Sequence, residues 1–88
     1  PRKHYRLIEQ LESASASVAL NIAAGKGRQT TKEFIQFLYI ARGSLFEVVT
    51  LLILFAKLQW IEEVQLETIQ NDALEITKML NSLIKSMR

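Results

Sequence analysis

The chain has 88 residues, enough for one domain (1–88) at most, and 49% of them are hydrophobic. A chain this short hides only about 60–65% of its unfolded surface, so self-association is the ordinary remedy for so apolar a composition. Cysteine is absent, which excludes a disulfide framework and thiolate chemistry, and the net charge of +2 divides into +4 over residues 1–32 and −2 over residues 33–88.

Pro1 to Tyr5 reads as a short basic lead-in, carrying His4, and no secretory leader pattern is present. From Arg6 to Ala24, Leu7, Leu11, Ala14, Val18 and Ile22 recur at 4-3-4-4 spacing, one face of a helix. Ser13, Ser15, Ala16, Ser17 and Ala19 lie beside that face, and such small residues let a neighbouring helix come close. The run Gly25-Lys26-Gly27-Arg28-Gln29 ends this helix, with Gly25 expected as its left-handed C′ residue and Gly27 easing the turn. Two glycines beside a lysine do not make a phosphate loop here. That motif needs GxxxxGK[ST] between a strand and a helix, and a helix precedes this run.

Thr31 to Leu58 forms the central helix, opened by a Thr30–Glu33 capping box. Its main seam is Phe34, Leu38, Ala41, Leu45, Val48, Leu52 and Phe55, spaced 4-3-4-3-4-3. A second stripe of Tyr39, Phe46, Val49 and Ile53 runs up another side, with Ile40, Leu51 and Leu54 between the two. A helix apolar on nearly every side must be covered on nearly every side. The second stripe is therefore the expected oligomer interface. The longest uncharged apolar run, Val48 to Ala56, has nine residues, against roughly 20 for a membrane span. Arg42 and Glu47 interrupt the longer version, so no membrane partner is expected. Arg42 itself should be partly buried beside a carboxylate, with Glu12 and Glu75 at its level, because an unpaired charge there is costly.

Gln59 to Ile61 is a tight connection, with Trp60 folding over the end of the helices. From Glu62 onward, Leu66, Ile69, Ala73, Ile76, Leu80, Leu83 and Met87 repeat at 3-4-3-4-3-4 spacing. Glu62, Glu63 and Glu67 at the start and Lys85 and Arg88 at the end suit the helix dipole. The sequence thus predicts an all-α fold with helices near 5–25, 31–58 and 63–86 and no strand. Short connections make successive helices antiparallel, which gathers Lys26, Arg28, Lys32, Lys85 and Arg88 at one end with Glu33 the one nearby acid. These five are the candidate nucleic-acid contacts.

Catalysis has no visible support. Asp72 is the sole aspartate, Glu62-Glu63 is a helix start, and the serines lack a histidine and acid spaced to activate them. No Glu-x-x-His pair offers a metal site, and no cofactor is implied. A cytoplasmic protein that is not an enzyme is the expectation.

The run Ser17-Val18-Ala19-Leu20-Asn21-Ile22-Ala23-Ala24-Gly25-Lys26-Gly27-Arg28, then Thr31-Lys32-Glu33-Phe34 and Phe37-Leu38-Tyr39-Ile40-Ala41-Arg42-Gly43-Ser44-Leu45, resembles the bacterial four-helix-bundle intervening-sequence proteins. Some of these are encoded within insertions in 23S ribosomal RNA genes, and the family is similar to the accessory variability protein of diversity-generating retroelements. The closing Met79-Leu80-Asn81-Ser82-Leu83-Ile84 fits the same pattern. The resemblance marks Asn21, Gly25, Gly27 and Arg42 as structural. It implies an antiparallel up-and-down four-helix bundle assembled as a homo-oligomeric ring of about five subunits, a homopentamer, with no catalytic activity. RNA or DNA binding is suggested by the retroelement relative. The alternative is a structural scaffold that works through its apolar oligomer interface without nucleic acid.

Two departures stand out. Ala24 occupies the place where the family pattern has Glu before the first glycine. The family also has an amphipathic helix ahead of the Pro-x-x-x-Tyr segment that opens this sequence, and that helix is expected to be truncated or disordered here. The three helices are expected to leave a groove lined by Leu11, Val18, Leu45 or Leu52 for that helix.

Overall fold

The computed structural model describes residues 2–88, which form three α-helices and no strand: α1 (Arg2–Lys26), α2 (Thr31–Lys57) and α3 (Glu63–Met87). The start of α1 corrects the sequence reading. Residues 2–5, expected as a lead-in, are its first turn, and Pro1 lies outside the described residues. The physical reason is tertiary: His4 is half-buried with its ring edge-on to Trp60, 3.8 Å between centres.

The α1–α2 turn works by close approach. Gly25 has no positive φ, contrary to the expected left-handed cap, and α1 runs past it to Lys26. A Cβ on Gly25 would stand 2.7 Å from Phe34 Cδ1 and 2.9 Å from Phe37 Cβ, inside contact distance, so only glycine lets α2 begin there. Thr30 then caps α2. Its hydroxyl accepts from the Glu33 N–H at 3.2 Å and donates to the Glu33 carboxylate at 2.9 Å.

The α2–α3 turn uses a left-handed residue that is not glycine. Gln59 has φ 64°, the Trp60 N–H donates to the Phe55 carbonyl at 2.9 Å, and the Gln59 N–H to the Ala56 carbonyl at 3.0 Å. That pair of bonds is a Schellman motif, and the accompanying apolar contact is Trp60 on Phe55, 5.0 Å between ring centres. Trp60 thus folds over the helix end as expected. At the start of α3, the Glu62 N–H is satisfied by the Gln65 side chain at 2.8 Å.

The core lies along α2. One cluster joins Leu52, Phe55 and Ala56 to Leu66 of α3, with Leu7 and Leu11 of α1 packed on it. The other joins Leu38 to Leu80 and Ile84 of α3, with Ile22 of α1 packed on it. The first parts of α1 and α3 therefore lie against the last part of α2, and their last parts against its beginning. By length and composition α2 is a helix that could cross a membrane; here its Leu38, Ala41, Leu45, Leu51, Leu52, Phe55 and Ala56 are buried.

Among the described residues the backbones of α1 and α3 each come close to α2 and not to one another. The result is a slab of 44 × 25 × 12 Å, one helix diameter thick. Its radius of gyration of 14.6 Å exceeds the about 12 Å of a compact chain of this length. Its accessible surface of 6384 Å² likewise exceeds the about 5,300 Å² expected for 10.1 kDa. The expected groove needs correction at its floor: Leu45 and Leu52 are covered by the chain's own helices, while Leu11 and Val18 are half-buried. The open apolar surface on that side is built instead by Ile22, Ile76, Met79 and Leu83 above the buried Leu80. This surface lies between α1 and α3, where Ile22 faces α3 across the buried Leu80.

Candidate nucleic-acid interface

The contacts in the second cluster bring the end of α1, the start of α2 and the end of α3 to one end of the slab. All five predicted cations are exposed there: Lys26 in the last turn of α1, Arg28 in the connection, Lys32 in the first turn of α2, Lys85 in the last turn of α3, and Arg88 after it. Two helix C-termini favour positive charge at this end on their own account. Glu33, the acid expected nearby, is engaged by the Thr30 hydroxyl.

The arginines are held by aromatic faces. Arg28 lies over the Phe37 ring, its guanidinium carbon 4.6 Å from the ring centre. Arg88 donates to the Tyr39 hydroxyl and lies 6.0 Å from the centre of the same ring. Stacking on an aromatic face fixes the guanidinium plane and leaves its edge N–H groups open to an acceptor.

Arg42 is half-buried as expected, but its partner is not a carboxylate. It donates to Asn81 Oδ1 at 2.8 Å and lies 4.8 Å from the centre of the Tyr39 ring, and Glu12 and Glu75 play no part. The side-chain amide satisfies the guanidinium without neutralising it. Asn81 was missed in the sequence, although Lys78, Asn81, Lys85 and Arg88 recur at 3-4-3 spacing along one stripe of α3.

Asn21 serves the α1–α2 contact. Its amide donates to the Ser17 carbonyl at 2.8 Å and to the Ser17 hydroxyl at 2.9 Å, and that hydroxyl bonds across the interface to the Ser44 hydroxyl at 2.8 Å. Gly27 donates its N–H to the Ala23 carbonyl at 3.3 Å and finishes the turn. The second stripe is divided by the fold. Tyr39, Val49 and Ile53 are half-buried along the α3 side, whereas Phe46 is 53% exposed. Phe46 and Val49 line a shallow cleft with Gln70, Ala73, Leu74 and Thr77 of α3.

Three long helices with a basic end and exposed apolar residues define an all-α protein. Comparison with known proteins is specific: residues 1–82 match the model of the 23S rRNA-intervening sequence protein family, and the chain belongs to that family. The chain is also similar to a protein of unknown function from the S23 ribosomal protein family of Bacteroides thetaiotaomicron VPI-5482, solved by crystallography at 1.70 Å. The two are 33% identical with a TM-score of 0.85, over 90% of this chain and 73% of the other. No curated protein matches the chain.

Proposed function

We propose that this protein is a non-catalytic subunit of a homo-oligomeric helical assembly that binds RNA or DNA phosphates through its basic end. The observation that carries the reading is the convergence of Lys26, Arg28, Lys32, Lys85 and Arg88 where three helix ends meet, with Glu33 already engaged. Phosphate contacts from Lys and Arg dominate nucleic-acid affinity, and an assembly repeats the cluster once per subunit. The resemblance of the sequence to the retroelement accessory protein supports the nucleic-acid part of this reading, and the ring of about five subunits that the family resemblance implies supports the assembly.

The antiparallel four-helix bundle belongs to this reading. Nine-tenths of 88 residues are about 79, and 79 are 73% of about 108, so about 29 residues of the solved relative lie outside the match. A helix of about 25 residues is about 38 Å long, which suits the 44 Å slab. The flank of Ile22, Ile76, Met79 and Leu83 is where such a helix would lie, and Phe46 and its neighbours suit a second subunit.

A scaffold role without nucleic acid is the second reading, favoured by the roughly 1,100 Å² of surface above expectation for this mass. Sedimentation of the protein alone, then with a labelled RNA or DNA across a salt series, separates the two. The expected result is a multiple of the subunit mass and binding that weakens steeply with salt. A stable monomer at micromolar concentration overturns the assembly, and absent binding at low salt leaves the scaffold reading standing.

A further inference from the structure

We infer that the seam between α2 and α3 holds a discrete phosphate site, built by Arg42 and Arg88 around Tyr39 and taking the phosphodiesters of a nucleic-acid strand. The inference rests on the nucleic-acid reading above and narrows it to one place. Both guanidinium groups lie beside one ring, their carbons 4.8 and 6.0 Å from its centre. Their hydrogen-bond partners are an amide oxygen, Asn81 Oδ1, and a phenol oxygen, that of Tyr39, both neutral. Two like charges thus flank one ring, with no carboxylate bonded to either. An anion held between them would be attracted by both charges.

The geometry suits a phosphate better than a diffuse counterion. Each guanidinium has five N–H donors, and each spends only one on its neighbour. Arg88 is exposed and Arg42 half-exposed, so free donors remain within reach of solvent. Asn81 and the Tyr39 ring orient Arg42, and the Tyr39 hydroxyl and ring orient Arg88, so the donor forks are set before a ligand arrives. The helical repeat places Lys78 and Lys85 on the same stripe as Asn81 and Arg88, which extends positive charge along the seam. Arg28, by contrast, stacks alone on Phe37 at the α1–α2 connection. Within the basic end the five predicted cations therefore fall into two groups, Arg28 by Phe37 and Arg88 by Tyr39. Arg88 and Lys85 belong with Arg42, which the family resemblance marks as structural.

The test uses the full chain and a labelled 20-nucleotide oligouridylate, read by fluorescence anisotropy over a salt series. Arg42→Gln with Arg88→Gln should weaken binding about tenfold at low salt and make the salt slope shallower by about 1.4, two single-strand phosphate contacts. Lys26→Gln with Arg28→Gln should cost about twofold. Arg88→Gln alone, at an exposed terminal position, should cost about threefold with an unchanged melting curve, which keeps the proposal testable if the double variant fails to fold. Arg42→Lys, which keeps the charge and loses the fork, should cost about as much as Arg42→Gln. Equal or larger loss in the Lys26/Arg28 variant, with the seam variants unchanged, overturns this site and leaves the nucleic-acid reading intact. No binding by the parent overturns both.

Discussion

The two sides of α2 are packed by different means. Toward α1 the contact is made by small residues: Ala14 is buried, Gly25 leaves no room for a Cβ against Phe34 and Phe37, and Ser17 bonds to Ser44 across the interface. Toward α3 it is made by longer side chains, Leu66, Leu80 and Ile84, with Arg42 reaching over to Asn81. Small residues let two helix axes approach, so backbone shape sets the fit on the first side. On the second, side chains span a wider gap and leave clefts at the flank. The close pair should therefore be the rigid part of the molecule, and α3 the element most able to adjust to a partner.

Substitutions at Leu38, at Gly25 and Gly43, and at Ser17 and Ser44 probe that difference, the largest loss first. Leu38 is fully buried and touches both sides through the cluster with Ile22, Leu80 and Ile84. Leu38→Ala should destabilise the fold by about 2–5 kcal/mol in chemical denaturation, because the cavity opens at the point the two interfaces share. A loss below about 1 kcal/mol would mean that α3 collapses into the space, and that the second interface is softer still.

Gly25→Ala should cost about 1–3 kcal/mol by overpacking, since Phe37 Cβ is tied to the backbone of α2 and cannot swing away. Gly43→Ala is its counterpart on α2, where an added Cβ meets nothing within 4 Å. That change should stabilise by about 0.5–1 kcal/mol through helix propensity. Thermal melting of the two variants checks both signs. Equal effects would erase the claim that close approach governs the first interface.

The smallest loss is expected from Ser17→Ala, about 1 kcal/mol, as it removes the hydroxyl between Asn21 and Ser44. Paired with Ser44→Ala in a double-mutant cycle, the two losses should be non-additive, because they break one bond. Additive losses would show that the serines matter for their size alone.

Much of the fold was written in the spacing of apolar residues. A period near 3.6 with few breakers identifies helices whatever their surroundings, and Thr30, Glu62 and the connection at 59–61 marked two boundaries well. The first helix was read too short because Arg2 to Tyr5 holds no apolar repeat, and its start is stabilised by a contact with Trp60 that lies 56 residues further on. The same limit applies to Gly25: sequence marks it as special, but whether glycine serves a positive φ or a close approach depends on where α2 comes back. At the candidate site, composition and topology located the basic end, since charges at helix termini follow from chain order. Which cations stand together was decided by the register of α3 on α2. One residue of slip would turn Asn81 away from Arg42 and Arg88 away from Tyr39, because each step along a helix rotates a side chain by about 100°. Register depends on how Leu66, Leu80 and Ile84 fill the spaces along α2, a property of the packed structure that no single stretch of the chain carries.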